Sequence, residues 1–417
     1  MAMNPNPEAA KGVIGMSGAI GRPRAALLLI GLALLAVAML RNSLAFIVRP
    51  IDPALALRID PTNAEVAASR SEQLLRTDPS PANRTLSEQL ARRALDRSPT
   101  SAAAARMLAT TRDLAGDPSS ARRLMRYSES LSRRDLPTQL WFIEDAVRRN
   151  DVPQALHHYD IALRGSVTTA PLLFPVLVAA LAQPPVVEGL IDTLRAKPRW
   201  ADAFLNQASH DARDFDGLAR LLVGLARHGY PLPDTTIALA TARMADAGRY
   251  DRAWETYSAS RHGAVRSGLR DPDFARLGEN ATPFDWAILP GSGIAAEPRL
   301  EGPASRLAYH AATGAGGVVA RQLLLLPRAS YIVGGRAFNA ASAAQLRLTC
   351  AGGGAVIATI PIENGGEHGA AFASRVTVPA GCTAQWLEVV VDGGDDPAGS
   401  SGEISQLRVL PVPEGRR

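Results

Sequence analysis

The stretch that most limits this chain is Ala25–Leu40, AALLLIGLALLAVAML, sixteen residues without a charge between Arg22 and Arg24 on one side and Arg41 on the other. As a helix it rises about 24 Å, short of the ~30 Å hydrocarbon layer of a bilayer. The flanking arginines make up part of the difference by extending their guanidinium groups to the headgroups. Setting Arg41 at the bilayer centre to lengthen the span costs ~2.5–3.5 kcal/mol, so the expected transmembrane helix is 25–40, with Leu44–Val48 in the interface beyond it. Two other readings compete. A cleaved signal peptide also has a basic start and a short apolar core, but its small-x-small triplet, Ala36-Val37-Ala38, lies inside the run and not after it. A buried core helix is the third. Charge does not orient the segment, because Lys11, Arg22 and Arg24 before it match Arg41, Arg49 and Arg58 after it.

The chain has 417 residues, 47 % hydrophobic and 20 % charged, enough for two or three packed domains. Its net charge of +5 is uneven: residues 281–417 hold 10 Arg, no Lys and 11 acids, and 20 of the 35 glycines. This shift marks a boundary near residue 280. The basic residues are almost all Arg and mostly alternate with acids, as on solvated helix faces. With no basic, aromatic-studded sheet and no zinc-ligand spacing, a nucleic-acid role is excluded. The expected domains are a disordered cytoplasmic tail (1–24), the span (25–40), a linker (41–59), a helical domain (60–270) and a β-domain (271–417).

Residues 60–270 read as helical, with apolar stripes such as Leu218, Leu221, Leu222 and Leu225. Proline-led turns at Asp78-Pro79, Ser98-Pro99, Asp117-Pro118 and Leu136-Pro137 divide them, each Pro sitting where a first helical turn does not need its N–H. Gly116-Asp117 precedes Ala121, Asn150-Asp151 precedes Ala155 and Tyr159, and Gly248-Arg249-Tyr250 precedes Ala253 and Tyr257; Ala121 and Ala155 are 34 residues apart. The pattern resembles the tetratricopeptide repeat, a helix–turn–helix unit of about that length. Gly116, Asn150 and Gly248 suit a left-handed residue ending the first helix. Ala121, Ala155 and Ala253 suit a close helix crossing, with Tyr159 and Tyr257 capping the same face. An ordinary antiparallel bundle is the alternative. Between 171 and 235, Pro171, Pro175, Pro184, Pro185 and Pro198 break the pattern, so repeats there are expected to be degenerate or absent.

From about 283 the periodicity becomes two, with Gly-rich turns. The expected strands are Ser305–His310, Val318–Leu326, Ser330–Phe338, Ala344–Cys350, Ala355–Pro361, Phe372–Val378, Gln385–Val391 and Ile404–Val412, which together predict a jelly-roll β-sandwich. The opening, Asp271-Pro272-Asp273-Phe274 and Pro283-Phe284-Asp285-Trp286, resembles the start of galactose-binding-like sandwich domains, of the kind used as carbohydrate-binding modules. The fold class is thus multidomain, α then β, with an N-terminal transmembrane helix.

Cys350 and Cys382 are the only cysteines, and both fall in the sandwich. In an exported chain such a pair reads as a disulfide; two unrelated buried thiols are the alternative. The disulfide reading puts the long C-terminal part outside the cytoplasm, on the periplasmic side of a bacterial inner membrane. Alternation places Trp386 on one strand face with Glu388, and Gln345 with Arg347 on the matching face of their own strand. A ring beside amide and charged groups can hold a sugar, although such a ring is as readily a packing residue under a loop or against the helices. Asp392-Gly393-Gly394-Asp395-Asp396 lacks recognised calcium spacing and reads as a turn. His157 and His158 diverge by about 100° on a helix and do not chelate. No catalytic residue, metal site or cofactor is expected.

These features predict a non-catalytic, membrane-anchored periplasmic scaffold, accessory to cell-surface polysaccharide assembly or export, whose repeats bind envelope proteins. An envelope adaptor without a glycan ligand and a carbohydrate-active enzyme with scattered acids are the rivals. The arginine pairs between Arg70 and Arg149 read either as a solvated face or as an attraction for anionic headgroups or an acidic polymer.

Overall fold

Helices occupy the first two-thirds of the chain and strands the last third, in a computed structural model that describes residues 22–413 except 262, 302, 303 and 341–343. The expected tail lies mostly outside the described residues. The chain divides into two units, one ending at Gln139 and one beginning at Leu140.

The first unit holds α1 (Arg22–Val48), α2 (Pro53–Ile59), α3 (Ala64–Thr77), α4 (Pro81–Arg97), α5 (Ala102–Leu114) and α6 (Pro118–Leu131). α1 does not end at Arg41 but continues to Val48. The stretch expected to be a linker is helical on both sides of a turn, because Asp52 caps α2 through the N–H groups of Ala54 and Leu55. Ala45, Ala56 and Val66 then form a small core joining α1, α2 and α3. The rest of the unit packs on small residues. Ala67, Ala68, Ala91, Ala94 and Ala104 line the crossings with Met107, and the buried Ser71 and Ser87 hydroxyls share a hydrogen bond. Such side chains let backbones approach closely.

α7 (Leu136–Arg148) leads into the second unit, with α8 (Val152–Gly165), α9 (Ala170–Ala179), α10 (Pro184–Arg195), α11 (Ala201–Asp211), α12 (Phe215–Arg227), α13 (Asp234–Asp246) and α14 (Tyr250–Ser260). The prolines of 171–198 do not interrupt the helical layer. Pro171 and the Pro184-Pro185 pair occupy first turns, where no N–H partner is lost, while Pro175 lies inside α9. Gly116, Asn150 and Gly248 have φ of 80°, 55° and 70°, each at a turn between two helices. Ala121, Ala155, Ala253, Tyr159 and Tyr257 are buried.

Among the described residues the β-part of this unit has ten strands, two more than expected: β1 (Ala287–Ile288), β2 (Ile294–Glu301), β3 (Ala304–Ala311), β4 (Gly316–Leu324), β5 (Ser330–Phe338), β6 (Gln345–Cys350), β7 (Val356–Pro361), β8 (Ala370–Thr377), β9 (Gln385–Asp392) and β10 (Ser400–Pro411). They form two five-stranded sheets, ordered β1-β4-β9-β6-β7 and β2-β3-β10-β5-β8, with all pairs antiparallel. The chain crosses between sheets at nearly every connection, and the core lies between them. Leu307, Tyr309 and Ile404 of one sheet meet Leu346, Leu387 and Val389 of the other. β2 carries Pro298, which a strand paired on one side only tolerates. Phe274 and Trp286, from the Asp-Pro and Pro-Phe-Asp-Trp stretches, enter the same core with ring centroids 4.8 Å apart.

Candidate functional site

The first sheet has an inner face of Ala320, Leu387 and Val389, which leaves Arg321, Glu388 and Arg347 on the outer one. They form a row across β4, β9 and β6, since Arg321 pairs with Glu388 and Glu388 with Arg347. Trp386 lies one position along on the same face, opposite Leu323 and Thr349. Gln345 lies on the other side of the row, opposite Val390. The four residues singled out in the sequence therefore share one face.

Their chemistry is partly committed within the protein. Arg347 Nε donates to Glu388 Oε2 at 2.8 Å, and Glu388 is largely buried. The Arg321 guanidinium lies 4.3 Å from the Trp386 ring centroid and occupies one side of the indole. Alternation places Arg321 on the outer face, but sequence alone does not bring it to β9.

The rest of Trp386 faces a cleft of about 410 Å³ between the sandwich and the turn joining α13 to α14. Ala245, Asp246, Ala247, Gly248 and Tyr250 line the helical wall; Ala351, Gly352 and Trp386 line the other. Gly248 turns the chain with a positive φ that glycine accepts without strain. This brings Asp246 and Tyr250, on either side of the turn, to one opening. Burial, then the neighbouring Asp246 charge, raises the Tyr250 phenol above its ordinary value, so it remains a donor at neutral pH. The cleft thus offers two aromatic side chains, a carboxylate acceptor and a phenolic donor. Tyr250 stands in the sequence as part of a repeat turn, and nothing there pairs it with Trp386.

Further along α14, beyond Tyr250, the helix is fastened to the sandwich. The Tyr257 hydroxyl donates to Asp285 Oδ1 at 2.9 Å. Trp254, Tyr257 and Phe284 surround the Arg270 guanidinium with ring centroids at 5.3, 5.8 and 5.3 Å. Arg270 has carbonyl acceptors in Phe284, Leu323 and Gly268, and its backbone N–H and C=O pair with the buried Gln322 amide at 2.9 and 3.0 Å. Burial pulls its pKa down to about 10. Tyr257 therefore joins helix to sandwich as well as packing within its helix pair.

Cys350 and Cys382 are paired, with Cα atoms 5.6 Å apart, tying the end of β6 to the approach to β9. In the acidic turn after β9, Asp392 accepts from the Gly394 N–H and Asp396 from the Ala398 N–H, both at 2.9 Å, so these carboxylates cap their own turns. His158 is buried and stacks on Phe142, with centroids 4.4 Å apart. Among the described residues no group of three or more His, Cys, Asp and Glu could hold a metal ion.

No protein-family model matches the chain, and no curated protein matches it. Solved structures are similar to its sandwich at low identity. One described as "CBM4 structure and function" is 12 % identical with a TM-score of 0.28, covering 34 % of this chain and 99 % of its own. TmCBM61, solved in complex with beta-1,4-galactotriose, is 14 % identical with a TM-score of 0.25, covering 37 % of this chain and 100 % of its own. The enzymatically active domain of bacteriophage CBA120 tailspike protein 4 is 13 % identical with a TM-score of 0.25, covering 36 % of this chain and 21 % of its own. At these TM-scores the likenesses do not bear on what this chain binds.

Proposed function

We propose that this is a non-catalytic binding protein, anchored in the bacterial inner membrane by α1, that holds a glycan in the Trp386 cleft on the periplasmic side and serves cell-surface polysaccharide assembly or export. The tetratricopeptide-like helices are its surface for envelope proteins. The observation that carries the glycan reading is the joint presence of Trp386, Tyr250 and Asp246 around one cleft. A sugar presents apolar C–H faces to rings and hydroxyls to a carboxylate and a phenol. The paired cysteines support an oxidising compartment, and the long apolar helix, uncharged from Ala25 to Leu40, supports the anchor.

The test is binding of bacterial polysaccharides to the full-length protein in detergent, read by affinity electrophoresis. Trp386→Ala and Tyr250→Ala are each expected to weaken binding about tenfold, or ~1.4 kcal/mol, the upper range of one aromatic contact. Retention of wild-type affinity by both variants, or binding of no polysaccharide by the wild type, overturns the reading. One observation favours the rival adaptor without a glycan: Leu172 and Val176 expose an apolar edge of α9.

A further inference from the structure

The end of α1 has two unlike sides. One faces protein: Ala45 is fully buried, and Val48 packs beside it against α2 and α3. Arg41 is on this side, its Nε donating to the Ile59 carbonyl at 3.2 Å and its Nη2 lying 3.5 Å from Asp60 Oδ1. Asn63 donates to the Asn42 side chain at 2.7 Å. Arg41 therefore finds partners within the protein and does not depend on water or headgroups alone. Its charge does not by itself force the membrane surface to end at residue 40.

The other side is apolar and bare. Leu40, Leu44 and Ile47 follow one another at the three-and-four spacing of a helix face and continue the stripe of Val37 out of the span. Ile51 in the turn and Leu55 on α2, next along the chain, are exposed apolar residues as well. Leu44, Phe46, Ile47, Ile51 and Leu55 are between 43 % and 85 % exposed, apolar surface of a kind a soluble protein seldom carries, and Phe46, about 100° round the helix from Ile47, widens the bare arc beyond the stripe. This apolar surface follows the uncharged run Ala25–Leu40 along the same helix, past Arg41 on the protein side, and ends at basic residues. Arg49 lies 4.8 Å from the Phe46 ring centroid and pairs with Glu65, and Arg58 is exposed on α2. An apolar stripe that runs from a span into a basic fringe is the pattern of a segment lying in the border between acyl chains and headgroups.

We propose that the α1–α2 hairpin is a membrane-contact surface, with Leu44, Phe46, Ile47, Ile51 and Leu55 seated in the acyl–headgroup border of the bilayer that takes α1. This rests on the anchor reading and extends it. The hairpin then restrains the tilt of the first helices relative to the membrane, whereas a linker would leave them free. Lipid is the occupant because this apolar surface follows the uncharged run along the same helix and the small core fixes its opposite side.

The experiment uses full-length protein in nanodiscs of phosphatidylcholine and phosphatidylglycerol. Single substitutions Leu34→Cys, Ile47→Cys, Ile51→Cys and Ala82→Cys are spin-labelled without reductant, with unsubstituted protein labelled in parallel to report any reaction of Cys350 or Cys382. Depth is read from oxygen against nickel-chelate accessibility. Leu34→Cys is expected deep, Ala82→Cys aqueous, and Ile47→Cys and Ile51→Cys at the border, with an oxygen-to-nickel ratio several-fold above that of Ala82→Cys. A deep Leu34→Cys with Ile47→Cys and Ile51→Cys indistinguishable from Ala82→Cys overturns the hairpin proposal and leaves the anchor standing. An aqueous Leu34→Cys overturns both.

Discussion

Replacing Arg270 by alanine tests how the last helix pair is held to the sandwich. The guanidinium donates to the carbonyls of Phe284 and Leu323 inside a box of three rings. Each buried acceptor left without a donor costs ~1–3 kcal/mol, and the ring contacts together add about 1–3 kcal/mol. An opposing contribution comes from the charge itself. A pKa drawn from 12.5 to about 10 by burial means that the folded protein carries the cation at a penalty, and alanine removes about 3 kcal/mol of it. These contributions sum to about 0–6 kcal/mol, and the middle of that span, about 2–4 kcal/mol, is the loss expected for the docking of α14 and the 261–286 segment on the sandwich, not for the core between the sheets. Hydrogen exchange on the full-length protein reads it by region. Amides of α14 and of Phe284–Trp286 are expected to exchange about 30- to 900-fold faster, since each 1.36 kcal/mol is tenfold, while β5 and β10 change little. Arg270→Met fills the volume but leaves both carbonyls bare, and should show most of the same effect. Wild-type exchange in α14 for the alanine variant would refute the reasoning.

Two further substitutions test packing. Gly217, in the first turn of α12, has no room for a β-carbon, which would stand 2.0 Å from the Leu181 carbonyl oxygen. Gly217→Ala should therefore lower the thermal midpoint, because overpacking of ~1–3 kcal/mol exceeds the up to ~1 kcal/mol that alanine gains in a helix. An unchanged or higher midpoint would show that α12 can move away. Cys382→Ser opens a loop whose ends are 32 residues apart, expected to cost about 3–4 kcal/mol in the chain-entropy model. A dithiol reductant should shift the wild-type denaturation midpoint by the same amount and leave the serine variant unmoved.

What could be read ahead of the structure followed from local chemistry. β5 has the bounds its alternation gives, Ser330–Phe338, because each residue's environment repeats every second position. The α-then-β order follows from a change of period that needs no tertiary information. β2 escaped because Pro298 and its mixed charges hide the alternation, and such a strand is specified by its partner β3. β1 has only two residues, too few to carry a period. The helical character of 41–59 was hidden for another reason: Arg49-Pro50-Ile51-Asp52-Pro53 reads as a stiff exit, and only the third-helix residue Val66 shows that Ala45 and Ala56 belong to one core. The site divides the same way. Alternation put Trp386, Glu388, Arg347 and Gln345 on matching faces, but Tyr250 and Asp246 reach the cleft through a helix–sandwich contact that no local pattern encodes.

That contact has a consequence for where the chain can be cut. The change of composition near residue 280 invites excision of residues 271–417 as a free sandwich. Yet Phe284 and Leu323 are fully buried, and Phe284 packs edge-to-face against Trp254 and at a tilt against Tyr257, both upstream of the cut, with centroids 5.2 Å apart in each case. Cutting at 271 removes those rings and Arg270, and exposes apolar surface worth about 3–6 kcal/mol for two large side chains. It also removes the Asp246 and Tyr250 wall of the cleft while leaving Trp386 in place. A fragment of residues 136–417 keeps α7 whole and retains all of these groups. It is expected to melt as wild type does in its sandwich and to bind the same polysaccharides. The 271–417 fragment is expected to melt lower and to bind none, despite an intact Trp386. Equal melting of the two fragments would show that the α14 contact contributes nothing to the sandwich, and glycan binding by the shorter one would move the site off the cleft.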